Sequence, residues 1–183
     1  MTEILVVCTA NLCRSPMAAE IFRRRLCERG ATATIGSAGL LEPDLPAVEG
    51  ARQALAGRGL DASGHLSRRV DAELVRAADL VLGLERRHVR EVVVLDPAAW
   101  SRAFTLKEIV RRGEAVGPRD AGEPWPRWLE RVNFGRQRAE LLGSSPADDV
   151  ADPMGGAFED YEATADELDD LVRRLVDLGW PPA

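Results

Sequence analysis

The sequence predicts an α/β sandwich, in which a parallel sheet of four strands is flanked by helices. Two observations support this prediction. Short apolar runs of strand length alternate with longer segments whose apolar residues recur at helical spacing. The first of these runs, residues 4–7, is apolar at every position, which is typical of a parallel strand that is buried on both faces of its sheet.

The predicted strands cover residues 4–7, 32–36, 80–82 and 104–106. The first helix is expected to have Ser15 as its N-cap and Pro16 at its first position, and to end at Gly30. Further helices are expected at about residues 47–56, 74–78, 88–93 and 128–142. A long closing helix is predicted by an apolar stripe at helical spacing: Phe158, Tyr161, Ala165, Leu168, Val172, Leu175 and Val176.

The whole chain, residues 1–183, is expected to form one domain and to be a monomer. Its length is sufficient to bury a core without disulfide bonds. The segment at about residues 111–149 is rich in glycine and proline, and we interpret it as an elaborated excursion within this domain. The sequence contains no internal repeat and no low-complexity tract.

The composition, with 45% hydrophobic and 30% charged residues, indicates a soluble, globular protein. Three cysteines near the N-terminus, with no leader before them, indicate the reducing cytoplasm. No apolar run is long enough for a signal peptide or a membrane span, so we expect no membrane partner. The net charge of -6 argues against nucleic acid as a partner. Because there are two histidines and no Cys-x-x-Cys pair, we expect neither a metal site nor a cofactor.

The run that follows the first strand carries the chemistry: Cys8, Thr9, Ala10, Asn11, Leu12, Cys13, Arg14, Ser15 and Pro16. A loop between a strand and a helix presents backbone N–H groups and a helix N-terminus to an anion. The guanidinium of Arg14 can bind two phosphate oxygens. The N-terminus of the helix favours a thiolate at Cys8, and Ser15 can also donate a hydrogen bond to its sulfur. The run therefore predicts attack on a phosphate monoester by Cys8.

This run resembles the signature of the low-molecular-weight protein tyrosine phosphatases. The similarity continues through Ser37-Ala38-Gly39, His65, residues 78–82, residues 104–106 and Asp152-Pro153. The resemblance implies a three-layer fold around a four-stranded parallel sheet. It also implies that Cys8 forms a thiophosphate intermediate, that Arg14 holds the equatorial oxygens, and that Asp152 protonates the leaving group and then activates water. The expected ligands are a phosphorylated protein or peptide, and a phosphate or sulfate anion.

The phosphate-binding positions implied by the resemblance are Thr9, Ala10, Asn11, Leu12, Cys13, Arg14 and Ser15. Asn11, Ser15, Ser37 and His65 match positions whose hydrogen bonds brace this loop in the family. Asparagine also tolerates the left-handed backbone that such a cradle requires. Ala10 stands where the family usually has glycine.

The cysteines other than the nucleophile have separate interpretations. Cys13 matches the second loop cysteine of the family, which implies a reversible Cys8–Cys13 disulfide that shields the nucleophile. Packing of a small residue beneath the loop is the alternative interpretation of Cys13. Cys27 is expected to pack in the core or at its rim. His88 is expected on the surface of a helix, without a role.

The substrate signals are mixed. Leu12 matches the aliphatic residue that is common in family members acting on phosphotyrosine, whereas the segment Asp152-Pro153-Met154-Gly155-Gly156 resembles the bacterial protein arginine phosphatase branch. Because that branch typically has threonine in place of Leu12, phosphotyrosine is favoured and phosphoarginine is the alternative. The candidate apolar lining of the cleft is Leu12, Leu40, Leu41 and Met154.

Two other classes are weaker alternatives. Arsenate reductases on the same scaffold need further cysteines to relay a disulfide, and no cysteine follows Cys27. A non-catalytic oxyanion-binding protein would need neither a thiol nor the acid Asp152.

Overall fold

The protein is built on a sheet of four parallel strands, as a computed structural model that describes residues 1–181 shows. The strands are β1 (Thr2–Cys8), β2 (Ala33–Gly39), β3 (Leu80–Gly83) and β4 (Ala103–Thr105). Their order in the sheet is β2-β1-β3-β4, with β1 and β3 as the inner strands. The predicted α/β fold with a four-stranded parallel sheet is therefore confirmed.

The α-helices of the described residues are α1 (Arg14–Arg29), α2 (Glu49–Ala56), α3 (Ala72–Ala77), α4 (Arg86–Leu95), α5 (Leu106–Val116), α6 (Trp125–Asn133) and α7 (Phe158–Gly179). Two short 3₁₀ helices cover Pro97–Ser101 and Arg138–Leu141. Within residues 1–181, no helix combines the length and the apolar character needed to cross a bilayer.

Both faces of the sheet are covered, because alternate residues of each strand point to opposite sides. On β1, Ile4 and Val6 pack on the face covered by α1, α2, α5, α6 and α7. Leu5 and Val7 pack on the opposite face, beneath α3 and α4. This arrangement explains why the first strand is continuously apolar, and it gives the three layers that were expected.

Some predicted boundaries were wrong. β2 continues to Gly39, because residues 37–39 pair with the last residues of β1. The predicted helix over residues 128–142 is instead α6 followed by a turn and a 3₁₀ helix. Gly135 adopts φ +73 at this turn, a left-handed conformation that ends the α-helical path. α1 begins at Arg14, and its N-cap is Cys13 with no side-chain capping bond, so Ser15 is not the N-cap.

The segment over residues 111–149 is anchored to the body of the protein by a buried ion pair. The side chain of Arg136 is fully buried and donates to both carboxylate oxygens of Glu108, at 2.5 and 2.9 Å. Its guanidinium also stacks over the rings of Trp100 and Phe104, 4.0 and 4.3 Å from their centroids. A buried charge needs such a set of partners to offset its desolvation.

The end of this segment returns the chain to the carboxyl edge of the sheet. Asp148 is buried and pairs with Arg86 and Arg111. Burial alone would raise the pKa of this carboxyl, but the hydrogen bonds from Arg111 and Arg86 prevail and lower it. The N–H of Val150 then donates to the carbonyl of Leu84, just after β3, at 2.8 Å. This contact places the residues that follow Val150 beside the end of β1.

The loop after β1 lies directly against the end of β2. A Cβ atom added to Gly39 would lie 2.7 Å from the carbonyl carbon of Ala10 and 2.7 Å from the backbone nitrogen of Asn11. Both are backbone atoms, which cannot move aside as a flexible side chain could. Gly39 is therefore the residue that permits this close approach.

We predict that Gly39→Ala lowers the free energy of unfolding by about 1–3 kcal/mol, because the added methyl group overpacks this contact. The loop should also be displaced, so catalytic turnover should fall by more than the fraction of unfolded protein explains. Urea denaturation and steady-state kinetics measure the two effects. Gly64→Ala is the matched control, because no atom lies within 4 Å of its added Cβ. Equal losses of stability and turnover in Gly39→Ala and Gly64→Ala would contradict this account.

Candidate active site

The loop between β1 and α1 curls around the sulfur of Cys8. The N–H of Asn11 donates to this sulfur at 3.2 Å, and the hydroxyl of Ser15 lies 3.0 Å from it. Asn11 adopts φ +57, the left-handed conformation that turns successive N–H groups toward one centre. The loop thus has the form of an anion cradle around the thiol.

Asn11 is also the centre of a buried hydrogen-bond network. Its side-chain nitrogen donates to the hydroxyls of Ser15 and Ser37, each at 2.9 Å. Its side-chain oxygen accepts from the backbone N–H of Arg68 at 3.0 Å. The ring Nε2 of His65 lies 2.7 Å from its backbone carbonyl. The structure therefore brings together the four residues predicted for this network, and adds a backbone contact that the sequence did not indicate.

The network orients the hydroxyl of Ser15. Because this oxygen accepts from the amide of Asn11, its own hydrogen is available to the sulfur of Cys8. The other acceptor nearby, the carbonyl of Ala38, is 3.5 Å away, which is long for an O–H donor. Ser15 can thus donate to a thiolate, which is one of the two roles predicted for it; the other, capping α1, is not found.

Arg14 connects the loop to the residues that precede α7. Its side chain is 1% exposed, and its two terminal nitrogens reach different carboxylates. Nη1 lies 2.5 Å from Glu85 and 2.9 Å from the carbonyl of Val150, and Nη2 lies 2.6 Å from Asp152. The predicted nucleophile, arginine and acid therefore meet at one place, although residue 152 is remote in sequence.

Glu85 was missed at the sequence level. It directly follows Leu84 at the carboxyl edge of β3, and an acid at that edge of a parallel sheet is the signal that could have found it. Burial alone would raise the pKa of this carboxyl, but the hydrogen bonds from Arg14 and Arg87 prevail and lower it. Glu85 is therefore a carboxylate at neutral pH.

The predicted cleft residues differ in exposure. Leu41 and Met154 are 54% and 45% exposed, whereas Leu12 is partly buried. Leu40 packs partly against the core on the α4 side of the sheet. The N–H groups of Leu40 and Leu41 both donate to the carbonyl of Thr9, at 2.7 and 3.1 Å. These contacts place Leu41 beside the loop, where it is open to solvent.

Comparison with known proteins agrees with this geometry. The model of the family described as low molecular weight phosphotyrosine protein phosphatase matches residues 3–125. The chain belongs to this family. A protein-arginine-phosphatase of Bacillus subtilis (strain 168) is 30% identical over 174 residues, which cover 94% of this chain and 93% of that relative.

Solved structures give the same assignment. A low molecular weight protein tyrosine phosphatase from T. tengcongensis matches with a TM-score of 0.74 and 31% identity, covering 97% of this chain and 99% of that one. The arginine phosphatase YwlE, in a cysteine-to-serine form with a phosphorylated active-site serine, matches with a TM-score of 0.73 and 29% identity. That match covers 96% of this chain and 94% of that one.

His88 of this low molecular weight phosphatase is not at the surface, contrary to the prediction. It is fully buried, and its Nε2 lies 3.1 Å from the hydroxyl of Thr9, the residue after the nucleophile. Gly83 makes room for it, because an added Cβ there would lie 3.1 Å from the Cβ of His88 and closer still to Val89. Burial lowers the pKa of His88 to about 3, and nearby arginines act in the same direction.

The three cysteines all have free thiols. Cys13 is buried beneath the loop, and this burial, together with the charges of Asp152 and Cys8, raises its pKa to about 12. Its thiol is therefore protonated at neutral pH and is a poor competitor of Cys8 for phosphorus. Cys27 is exposed on α1, so the prediction that it packs in the core or at its rim was wrong.

We predict that His88 makes the stability of the protein depend on pH between about 3 and 6.5. In the unfolded chain the imidazole binds a proton below about pH 6.5, whereas folded His88 stays neutral down to about pH 3. The free energy of unfolding therefore falls as the pH is lowered through this window. The contribution is at most about 1.4 kcal/mol per pH unit.

The measurement compares urea denaturation of the wild type and His88→Asn at several pH values. The variant should show a shallower pH dependence in this window, whatever its absolute stability, because asparagine does not titrate. Parallel curves for the two proteins would show that His88 is protonated normally in the folded state.

Proposed function

We propose that the protein hydrolyses phosphotyrosine in proteins or peptides through a thiophosphate intermediate on Cys8. The observation that carries this proposal is the position of the Cys8 sulfur, which accepts hydrogen bonds within a loop that also holds Arg14. Asp152, the proposed general acid, lies 2.6 Å from the guanidinium of Arg14. Binding of an anion alone would require neither a thiol nor this acid.

In the first proposed step, the thiolate of Cys8 attacks phosphorus while the bond to the phenolic oxygen breaks. The backbone N–H groups of the loop and the guanidinium of Arg14 hold the phosphoryl oxygens as charge redistributes among them. Protonated Asp152 gives its proton to the leaving oxygen, so the product is a neutral phenol.

In the second step, water attacks the phosphorus of the thiophosphate. Asp152, now a carboxylate, accepts the proton of this water as the P–S bond breaks. Inorganic phosphate is released and the thiolate of Cys8 is restored. The hydroxyl of Ser15 can stabilise this leaving thiolate, because it lies 3.0 Å from the sulfur and its hydrogen is available for donation.

Leu12 supports phosphotyrosine as the substrate, because an aliphatic side chain on the loop can contact a phenyl ring. Leu41 and Met154 offer further exposed apolar surface near the loop and the acid. We infer that these residues, with Leu40, form the wall of the cleft.

Phosphoarginine is the second candidate, and a specific observation favours it. The arginine phosphatase of Bacillus subtilis matches 94% of this chain, and the tyrosine phosphatase from T. tengcongensis covers 97% of it, so the extent of the match leaves this candidate open. Glu85 and Asp152 are carboxyl groups next to the phosphate cradle, and carboxylates can bind the guanidinium of such a substrate.

We further propose that residues 1–183 act as one catalytic domain, as a cytoplasmic monomer. A disulfide between Cys8 and Cys13 would protect the nucleophile from irreversible oxidation. The bond requires a two-electron oxidant such as a peroxide, which converts the thiolate of Cys8 to a sulfenic acid; the thiol of Cys13 then attacks this sulfur and water is released.

We predict that Asp152→Asn slows the hydrolysis of substrates with poor leaving groups far more than that of activated ones. Loss of a general acid typically costs about 10²–10⁴-fold, and the loss should approach this range for phenyl phosphate. It should be much smaller for p-nitrophenyl phosphate, whose phenolate leaves without protonation. Steady-state kcat values for a series of aryl phosphates provide the measurement.

Cys8→Ser is the reference variant for this series. It should show no turnover with any leaving group and should still bind inorganic phosphate, since the loop and Arg14 remain. Equal slowing of all substrates by Asp152→Asn would remove residue 152 as the acid, and persistent turnover by Cys8→Ser would remove the covalent mechanism.

We predict that Leu12 decides between the two substrates. The wild type should have the higher kcat/KM on a phosphotyrosine peptide, and Leu12→Thr should shift the ratio toward a phosphoarginine peptide of the same sequence. The physical reason is that threonine removes apolar contact with a phenyl ring and adds a hydroxyl that can bond a guanidinium. Leu12→Val, which remains apolar, is the matched control. A wild type that prefers phosphoarginine would make the second candidate the function.

A further inference from the structure

Arg87 is a half-exposed cation held at the edge of the phosphate loop. Its Nη2 donates to the hydroxyl of Thr9 at 2.7 Å, and its Nε lies 2.7 Å from Glu85. Its side chain is 45% exposed, in contrast to the buried guanidinium of Arg14. Among the described residues, its Nη1 makes no hydrogen bond or ion pair, so two N–H donors remain available.

The contacts of Arg87 fix its guanidinium in one position relative to the loop. The carboxylate of Glu85 binds both arginines, because its Oε1 lies 2.5 Å from Nη1 of Arg14 and 3.2 Å from Nη2 of Arg87. The hydroxyl of Thr9 accepts from Arg87 and lies next to His88. Because His88 is neutral, its Nε2 can accept the hydrogen of this hydroxyl, which leaves the oxygen lone pairs for the arginine. The residue is therefore preorganised, and an anion that binds it need not order a flexible side chain.

The location of Arg87 is unfavourable for the helix that carries it. It lies in the first turn of α4, which contains no acidic residue, although the helix N-terminus carries partial positive charge and favours anions. The neighbouring Arg86 is accounted for, because its guanidinium pairs with Asp148 and its backbone N–H donates to Asp149. For Arg87, the contacts on the loop leave the exposed half of the guanidinium without a partner.

We propose that Arg87 is a specificity-determining residue, which binds a carboxylate of the substrate next to the phosphorylated side chain. This inference rests on the proposed hydrolysis of phosphopeptides by the Cys8 site. A carboxylate that flanks the phosphorylated residue fits the free N–H donors of a fixed guanidinium. Substrates with acidic residues around the phosphorylated position are therefore bound more tightly than neutral ones.

The experiment uses three phosphotyrosine peptides that carry glutamate, glutamine or lysine on both sides of the phosphotyrosine, and p-nitrophenyl phosphate. For the wild type we expect kcat/KM to be about three- to tenfold higher with glutamate than with glutamine, mainly through KM. The preference should decline in 0.5 M salt, because the contact is partly exposed. Arg87→Gln should bring the ratio close to one, and Arg87→Lys should leave an intermediate value.

Arg173→Gln is the matched control, because Arg173 is 50% exposed and paired with acids of its own helix, α7, far along that helix from its N-terminus. It should retain the wild-type ratio. Two results together would overturn the proposal. If the wild type shows no glutamate preference, and Arg87→Gln loses the same activity on all peptides and on p-nitrophenyl phosphate, Arg87 only fixes Thr9 and Glu85. A wild-type preference for lysine would also overturn the proposal. It would point instead to Glu42 and Asp44, two exposed acids that closely follow Leu41 in the chain.

A further assay distinguishes a wrong proposed function from a wrong inference about Arg87. If the wild type hydrolyses p-nitrophenyl phosphate but none of the phosphotyrosine peptides, the same three flanking sequences are assayed with phosphoarginine. A glutamate preference that depends on Arg87 in that series would support the inference, and its absence there would overturn it.

Discussion

The active site depends on the burial of one amide, that of Asn11. A buried amide is costly unless its donors and acceptor are satisfied, and here both N–H donors and the oxygen have partners within 3.0 Å. These partners come from α1, from β2 and from the segment at residue 68. The left-handed backbone of Asn11, which is unfavourable by itself, is thereby stabilised by the packing of three separate parts of the fold. Contacts within the protein thus hold the loop in the form of an anion cradle.

The position of the acid depends on a different part of the chain. Asp152 reaches the loop because Val150 pairs with Leu84, and that pairing follows from the ion pairs of Asp148 with two arginines. The glycine- and proline-rich segment before it is anchored in turn by the buried pair of Arg136 and Glu108. A segment that looks like surface elaboration in the sequence therefore determines the geometry of a proposed catalytic residue.

The sequence predicted what depends on local pattern. The continuous apolar run of β1 and the stripe of α7 reflect burial that each element shows by itself, and the Cys8–Arg14 spacing belongs to one loop. Prediction from the sequence failed where packing between remote residues determines the position of a side chain. His88 has the spacing of a surface residue, and it is buried because Gly83 leaves room for it beneath Thr9. Glu85 acquires its importance only when Arg14 approaches it from α1, a contact between residues that are remote in sequence.

The parts of the site that we propose to hold the phosphoryl group cannot decide which phosphorylated side chain enters. Asn11 and Ser15 contact each other and the sulfur of Cys8. Arg14 is proposed to hold the phosphoryl oxygens, which are the same in phosphotyrosine and phosphoarginine. Discrimination must therefore come from groups around the cradle that touch the rest of the substrate. Leu12 can distinguish a ring from a guanidinium, and Arg87 can distinguish the charge of the flanking sequence. Because the two side chains act on different parts of the substrate, their effects on kcat/KM should be close to additive.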